Sequence, residues 1–289
     1  MLLRIIHIHL QCGICMPSKS PRIITSSMTI KQILLLPIRV PLAAWGFLQF
    51  AVQVLWLGKW QMPRVIKKGK GSPDARRDAL YIAHRHVVRY LATLDFLGLV
   101  EFRFESTPRE QPCIMVANHP GLLDFIILLR DLPNAVCLYK SQSLDNPVLS
   151  SFVQVGGYIE GMDGTPSASK RIISACCERL AEGHHVAFFP EGTRSESATT
   201  VRKFRTTAFH ASIKCRVPVQ PVAIFCQPLI LGKNQRWTDV ALQRNIMTIR
   251  YLPVMHVEDL PDAEQTATGL AQAVREKILN ALTEMSAAG

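Results

Sequence analysis

The residues best suited to chemistry in this chain are His119 and Asp124, in the segment Ala117-Asn118-His119-Pro120-Gly121-Leu122-Leu123-Asp124. An apolar strand pattern, Cys113–Ala117, leads into the histidine, and a Pro-Gly turn separates it from the aspartate. On one regular helix these two positions would point about 140° apart and could not meet. With His119 ahead of the helix and Asp124 in its first turn, they can. A carboxylate on one imidazole nitrogen fixes the tautomer and supports the cation formed on proton uptake. The other nitrogen is then free to take a proton from a hydroxyl near neutral pH. The same residues also suit plain capping, with Asn118 or Asp124 holding a helix start and His119 merely exposed.

A second candidate turn is Phe188-Phe189-Pro190-Glu191-Gly192-Thr193-Arg194-Ser195, at the end of the strand pattern Val186–Phe189. Arg194 offers a planar fork for a phosphate or carboxylate. Gly192 lets the backbone approach a ligand closely. Glu191 suits holding Arg194 or ordering a substrate hydroxyl. Taken alone, the charges also fit a solvated surface ion pair.

Both turns need a scaffold that presents strand ends. Phe102 and Phe104 alternate with charged neighbours, and short apolar runs follow at Cys113–Ala117, Ala135–Tyr139, Val186–Phe189, Val219–Phe225 and Met247–Leu252. Helical spacing marks Ala75–Leu97, Leu122–Arg130, Ser167–Glu182, Phe204–Lys214 and Ala263–Met285. This alternation predicts an α/β fold, a mixed and largely parallel sheet flanked by helices. Such sheets carry their sites at the carboxyl ends of the strands, where both turns fall.

The chain before this domain has another character. Val40–Gly58 carries no charge, and as a helix it is about 28 Å long, close to the hydrocarbon thickness of a bilayer. Trp45, Trp56 and Trp60 suit the membrane interface. The basic residues Lys59, Arg64, Lys67, Lys68, Lys70, Arg76 and Arg77 form a collar for anionic headgroups on a cytoplasmic side. Pro37, Pro41, Gly46, Gln49 and Gln53 suit a bent helix sunk in one leaflet as well as a span. The expected organisation is an extension at 1–27, a membrane-associating segment at 28–70 and the α/β domain at 71–289, with a linker over 66–75 and Asp74 capping the next helix.

Composition sets the outer bounds. Hydrophobic residues are 48% and charged residues 19%, which excludes general disorder. A net charge of +11 favours anionic partners. The basic residues gather beside the apolar segment without interleaved aromatics, which argues against nucleic acid. Eight cysteines are too few for a disulfide scaffold. Cys113, Cys137, Cys176, Cys177, Cys215 and Cys226 are expected as free, small hydrophobes in a reducing compartment. Cys12 and Cys15, near His7 and His9, lack the second ligand pair of a structural zinc site, so no metal site is expected.

The two turns together resemble the motifs of the glycerolipid acyltransferase family, in particular its bacterial lysophospholipid (1-acyl-glycerol-3-phosphate) acyltransferases. The family's N-H-x-x-x-x-D is met by Asn118, His119 and Asp124, and its F-P-E-G-T-R-S by Phe189 through Ser195. Its V-P-x-x-P-V strand is met by Val217, Pro218, Pro221 and Val222. The resemblance covers about residues 75–255, and the apolar segment with its collar is similar to the family's membrane anchor. Two motifs depart. The glycine-led second motif reads Gly156 to Gly164 with no arginine before Arg171, and the F-K-x-G segment reads Phe204-Arg205-Thr206-Thr207.

The resemblance implies acyl transfer to a lysolipid hydroxyl from a thioester of coenzyme A or acyl carrier protein. It implies His119 as base, Asp124 as its support, and Asn118, Glu191, Gly192, Thr193, Arg194 and Arg205 at the acceptor. It implies no metal or redox cofactor, and a place on the cytoplasmic side of a bacterial inner membrane. Lysophosphatidic acid is the expected acceptor. The departures leave open a lysolipid with another headgroup, and activation of water instead would make a membrane-bound thioesterase.

Overall fold

The structure is a computed structural model, and it describes residues 30–69, 72–121, 123–139, 150, 153, 155–161, 166–233, 235, 239, 241 and 243–288. The expectations for 1–27, Lys70 and the stretch 162–165 lie outside the described residues.

The chain begins with helix α1 (Ile30–Trp56), which passes through a π-helical turn (Leu57–Gln61) into α2 (Met62–Gly69). Helix α3 (Pro73–Phe96) returns antiparallel to them. Its start is set by Ser72, whose hydroxyl accepts from Ala75 N at 3.1 Å, with Pro73 in the first turn. The cap is therefore Ser72 and not Asp74. The expected linker shrinks accordingly, because helix occupies everything up to Gly69 and from Pro73 onward.

The polar interruptions in the apolar segment are its contacts with α3. Gly46 lets Leu94 approach: an added Cβ would stand 3.1 Å from Leu94 Cδ2. Gln49 donates to Thr93 Oγ1 at 2.9 Å, and Phe50 meets Tyr90 with ring centroids 5.0 Å apart. His86 bonds to both Gln53 and Gln61. Leu57, Met62 and Val65 close a small core with Ala75, Ala79 and Ala83 of α3.

The body follows as β1 (Val100–Phe104), β2 (Ile114–Ala117), α4 (Asp124–Asp131), β3 (Ala135–Tyr139) and β4 (Ile159–Glu160). Then come α5 (Pro166–Ala181), β5 (His185–Phe188), α6 (Thr207–Cys215), β6 (Val219–Gln227), β7 (Asn245–Tyr251) and α7 (Ala267–Ala288). The strands form one sheet in the order β1-β7-β6-β2-β5-β3-β4. Every pairing is parallel except β6 with β7. This is the mixed, largely parallel sheet expected. Period-two alternation places Ile114 and Val116 of β2 in the core under α5, α6 and α7, and Met115 and Ala117 in the core under α3 and α4. Both faces are thus covered, and β2 at the centre of the sheet ends in the His119 turn.

Two sequence expectations fail. Cys177 and Cys215 are joined in a disulfide between α5 and α6, while Cys113, Cys137, Cys176 and Cys226 are free. Facing helices bring the two Cα atoms to 5.3 Å, within bonding reach, which spacing along the chain does not reveal. Arg76 does not belong to the basic collar. It is buried against Glu182, because α3 packs its first turn on the end of α5.

Candidate active site

The site grows from the carboxyl end of β2. The strand releases the chain at Ala117, Gly121 makes the turn, and α4 begins at Asp124. Gly121 is required there, since an added Cβ would lie 2.4 Å from the carbonyl oxygen of Ile230. The turn brings His119 Nδ1 to 2.6 Å from Asp124 Oδ2. Gly121 N–H donates to the same oxygen at 3.0 Å. Asp124 is fully buried, whereas the His119 side chain is 23% exposed. The carboxylate thus holds Nδ1–H, and the imidazole presents Nε2 outward. Burial pushes the Asp124 carboxyl above its ordinary value. The hydrogen bond from His119, its charge, the Gly121 amide and nearby Arg194 pull it back.

The second turn, after β5, is tied to the first through the backbone. His119 N–H donates to Glu191 Oε1 at 2.9 Å, and Ser195 N–H donates to the His119 carbonyl at 2.7 Å. The Ser195 hydroxyl donates to both Glu191 oxygens, and Arg202 N–H to Oε2 at 3.0 Å. Phe189 lies against the imidazole, ring centroids 4.7 Å apart.

The eight sequence-predicted residues therefore meet in one place but divide into two groups. Asn118 is turned inward: its amide donates to Ile224 O and accepts from Ile224 N, each at 2.8 Å, closing β2 onto β6. Glu191 is buried and engaged with the backbone around His119. Arg194 is buried and donates to the carbonyls of Leu231 and Gly232 at 2.6 and 2.9 Å. These three are buried and engage backbone groups of the frame. The physical reason is one of demand: strand ends and tight turns leave backbone groups that must find partners, and these side chains supply them.

Besides His119, Gly192, Thr193 and Arg205 are the members of the set left accessible. Gly192 adopts φ +70°, and an added Cβ there would meet the Arg205 guanidinium at 2.9 Å. Arg205 thus lies over the exposed backbone of the turn, as a cation within reach of an anionic headgroup. Sequence reasoning missed the parts played by Ser195 and by the 229–232 segment. The serine in the F-P-E-G-T-R-S string was visible, but its partner Glu191 was assigned elsewhere. An apolar cleft adjoins the site, running from Leu123 and Leu231 past Tyr90 and Leu94 to Gly46 and Phe47 of α1.

A family model described as Acyltransferase matches residues 100–225, which contain both turns. This match supports a place for the chain in the glycerolipid acyltransferase family. The 1-acyl-sn-glycerol-3-phosphate acyltransferase of Saccharomyces cerevisiae is 25% identical over 209 residues, 69% of this chain and 64% of that protein. The chain thus spans just under two thirds of the yeast protein's length. Human 1-acyl-sn-glycerol-3-phosphate acyltransferase alpha is 28% identical over 241 residues, 82% of this chain and 80% of that protein. The crystal structure of the 1-acyl-sn-glycerophosphate (LPA) acyltransferase PlsC from Thermotoga maritima shares the fold, with a TM-score of 0.68 at 19% identity. It covers 89% of this chain and 98% of the PlsC chain.

Proposed function

We propose that this chain transfers a fatty acyl group from an acyl thioester to the free hydroxyl of 1-acyl-glycerol-3-phosphate, giving phosphatidic acid. The observation that carries the reading is the contact of 2.6 Å between His119 Nδ1 and the fully buried Asp124 Oδ2, with the imidazole itself 23% exposed. Nε2 takes the acceptor's proton as its oxygen attacks the thioester carbonyl, and Asp124 stabilises the imidazolium. Collapse of the tetrahedral intermediate expels the thiolate, which recovers the proton from His119. The acyl group passes directly between substrates, so neither a covalent enzyme intermediate nor a metal or redox group is called for.

Arg205, over Gly192 and beside Thr193, is the group we assign to the acceptor phosphate. Glu191, Arg194 and Asn118 serve it by fixing the turns. The donor is a thioester of coenzyme A or acyl carrier protein. The apolar cleft along Leu123, Leu94 and Phe47 gives a hydrocarbon tail a path from the membrane. We infer that α1 lies in the cytoplasmic leaflet, because its exposed face carries Trp45, Val52, Trp56 and Trp60 and ends at Lys59, Arg64 and Lys67.

One observation favours a second acceptor. No arginine stands in the described residues 155–161, where the family's second motif places one, and Gly161 instead packs on the Tyr139 carbonyl. A lysolipid with another headgroup is the alternative. The test is a panel of lysolipid acceptors with both donor classes, read by product mass. Lysophosphatidic acid should be turned over fastest, and His119→Ala should lose about 10³-fold or more in kcat while staying folded. Fatty acid released without an acceptor, or an active His119→Ala, would overturn the reading.

A further inference from the structure

We propose that the cleft between α2 and α3 seats the headgroup of a zwitterionic bilayer phospholipid, at a place separate from the acyl-transfer site. The inference rests on the interfacial reading of α1. The cleft has a volume of about 250 Å³ and is lined by Gln61, Arg64, Val65, Asp78, Tyr81 and Ile82. It opens at the π-helical turn Leu57–Gln61, a distortion that recurs at functional sites in helices.

The walls of this cleft carry opposite charges that do not meet. Arg64 and Asp78 are both exposed, and neither forms an ion pair among the described residues. Arg64 donates from one guanidinium nitrogen to the Trp60 carbonyl at 2.8 Å, and the residue is exposed. His86 fixes Gln61 through a contact of 2.7 Å. The floor is apolar, with Val65 6% exposed. Tyr81 stands over the cleft, 59% exposed.

A separated cation and anion form a dipole that a phosphoethanolamine or phosphocholine group matches end to end. Its phosphate meets Arg64, and its ammonium meets Asp78 and the Tyr81 ring. Phosphatidylglycerol satisfies Arg64 through its phosphate but offers Asp78 only neutral hydroxyls, with no cation to pair with it. The occupant is placed by what adjoins the cleft. Trp60 and Trp56 stack with centroids 5.7 Å apart and are 53% and 50% exposed, forming a ledge for the acyl chains of the same lipid.

The experiment uses the full chain in maltoside micelles. Dihexanoyl phosphatidylethanolamine, phosphatidylcholine and phosphatidylglycerol are titrated in separate arms below their critical micelle concentrations, with tryptophan fluorescence as readout. The two zwitterionic lipids should bind saturably and at least about tenfold more tightly than phosphatidylglycerol, the scale of one charge-assisted contact. Asp78→Asn and Arg64→Gln should each weaken that binding about tenfold, and Asp78→Asn should leave acyl transfer to lysophosphatidic acid within about twofold. Equal binding of phosphatidylglycerol, or wild-type binding by both variants, would overturn the proposal. Wild-type transfer activity measured alongside reports separately on the catalytic reading.

Discussion

The division of the site into frame and face makes distinct demands on single side chains. Glu191 receives His119 N–H, Ser195 Oγ and Arg202 N, so its replacement disturbs the position of the base and not the substrate directly. Glu191→Gln should lower kcat about tenfold or more with the acceptor KM little changed, whereas Arg205→Ala should chiefly raise that KM. Steady-state kinetics in mixed micelles reads both, and the opposite pattern would place Glu191 on the substrate. Asn118→Ala should cost about 2–4 kcal/mol of stability, since both backbone groups of Ile224 are left unpaired in the interior. The sequence showed His119 and Asp124 because a turn of fixed length brings them together. It did not show that Asn118, Glu191 and Arg194 face inward, because their partners Ile224, His119, Leu231 and Gly232 are set by sheet order. Charge at a strand end reads as function until the backbone groups that require it are known.

At the level of strands and helices, periodicity carried most of the information. The alternation in β2 and the four-residue spacing of Leu270, Val274, Ile278 and Leu282 in α7 mark the faces that the core buries. What periodicity could not carry is β4, only Ile159–Glu160, and the pairing of cysteines on different helices. The Cys177–Cys215 bond closes a loop with a sequence separation of 38, and a loop of that length restrains the unfolded chain by about 4 kcal/mol. Reduction, or Cys177→Ser, should therefore lower Tm by about 8–16 °C, on the usual scale of about 2–4 °C per kcal/mol for larger domains. Both cysteines lie on helices, outside the turns at 117–124 and 188–195, so turnover at low temperature should hold. Thermal scans with and without reductant, with thiol alkylation read by mass, check this. An unchanged Tm with both thiols already alkylatable would return these cysteines to the free state first expected.

How the whole chain sits on a membrane follows from what α1 already contacts. Pro37–Lys67 is apolar enough to span, with a mean hydropathy of 1.6 and 22% of its apolar window buried, but its buried side carries polar contacts to the body. Gln49 and Gln53 bond to α3, and Arg39 donates to the carbonyls of Ala241 and Gln243 at 2.8 and 2.9 Å. A span would carry α3 with it, along with the exposed Arg77, Arg85 and Arg89. Each such charge at the bilayer centre costs about 2.5–3.5 kcal/mol even on lenient scales. The apolar run itself was plain in the sequence. Its orientation was not, because Thr93 and His86, the partners that occupy one side of it, lie on a later helix. Depth measurements separate the two arrangements. Trp45, Trp56 and Trp60 are kept one at a time, with the other tryptophans including Trp237 changed to Phe, in vesicles holding lipids brominated at graded depths. A helix lying flat puts all three within about 5 Å of one depth, in the outer part of the leaflet. A span separates Trp45 from Trp60 by about 20 Å along the bilayer normal, and quenching of one of them at the bilayer centre would refute the interfacial arrangement.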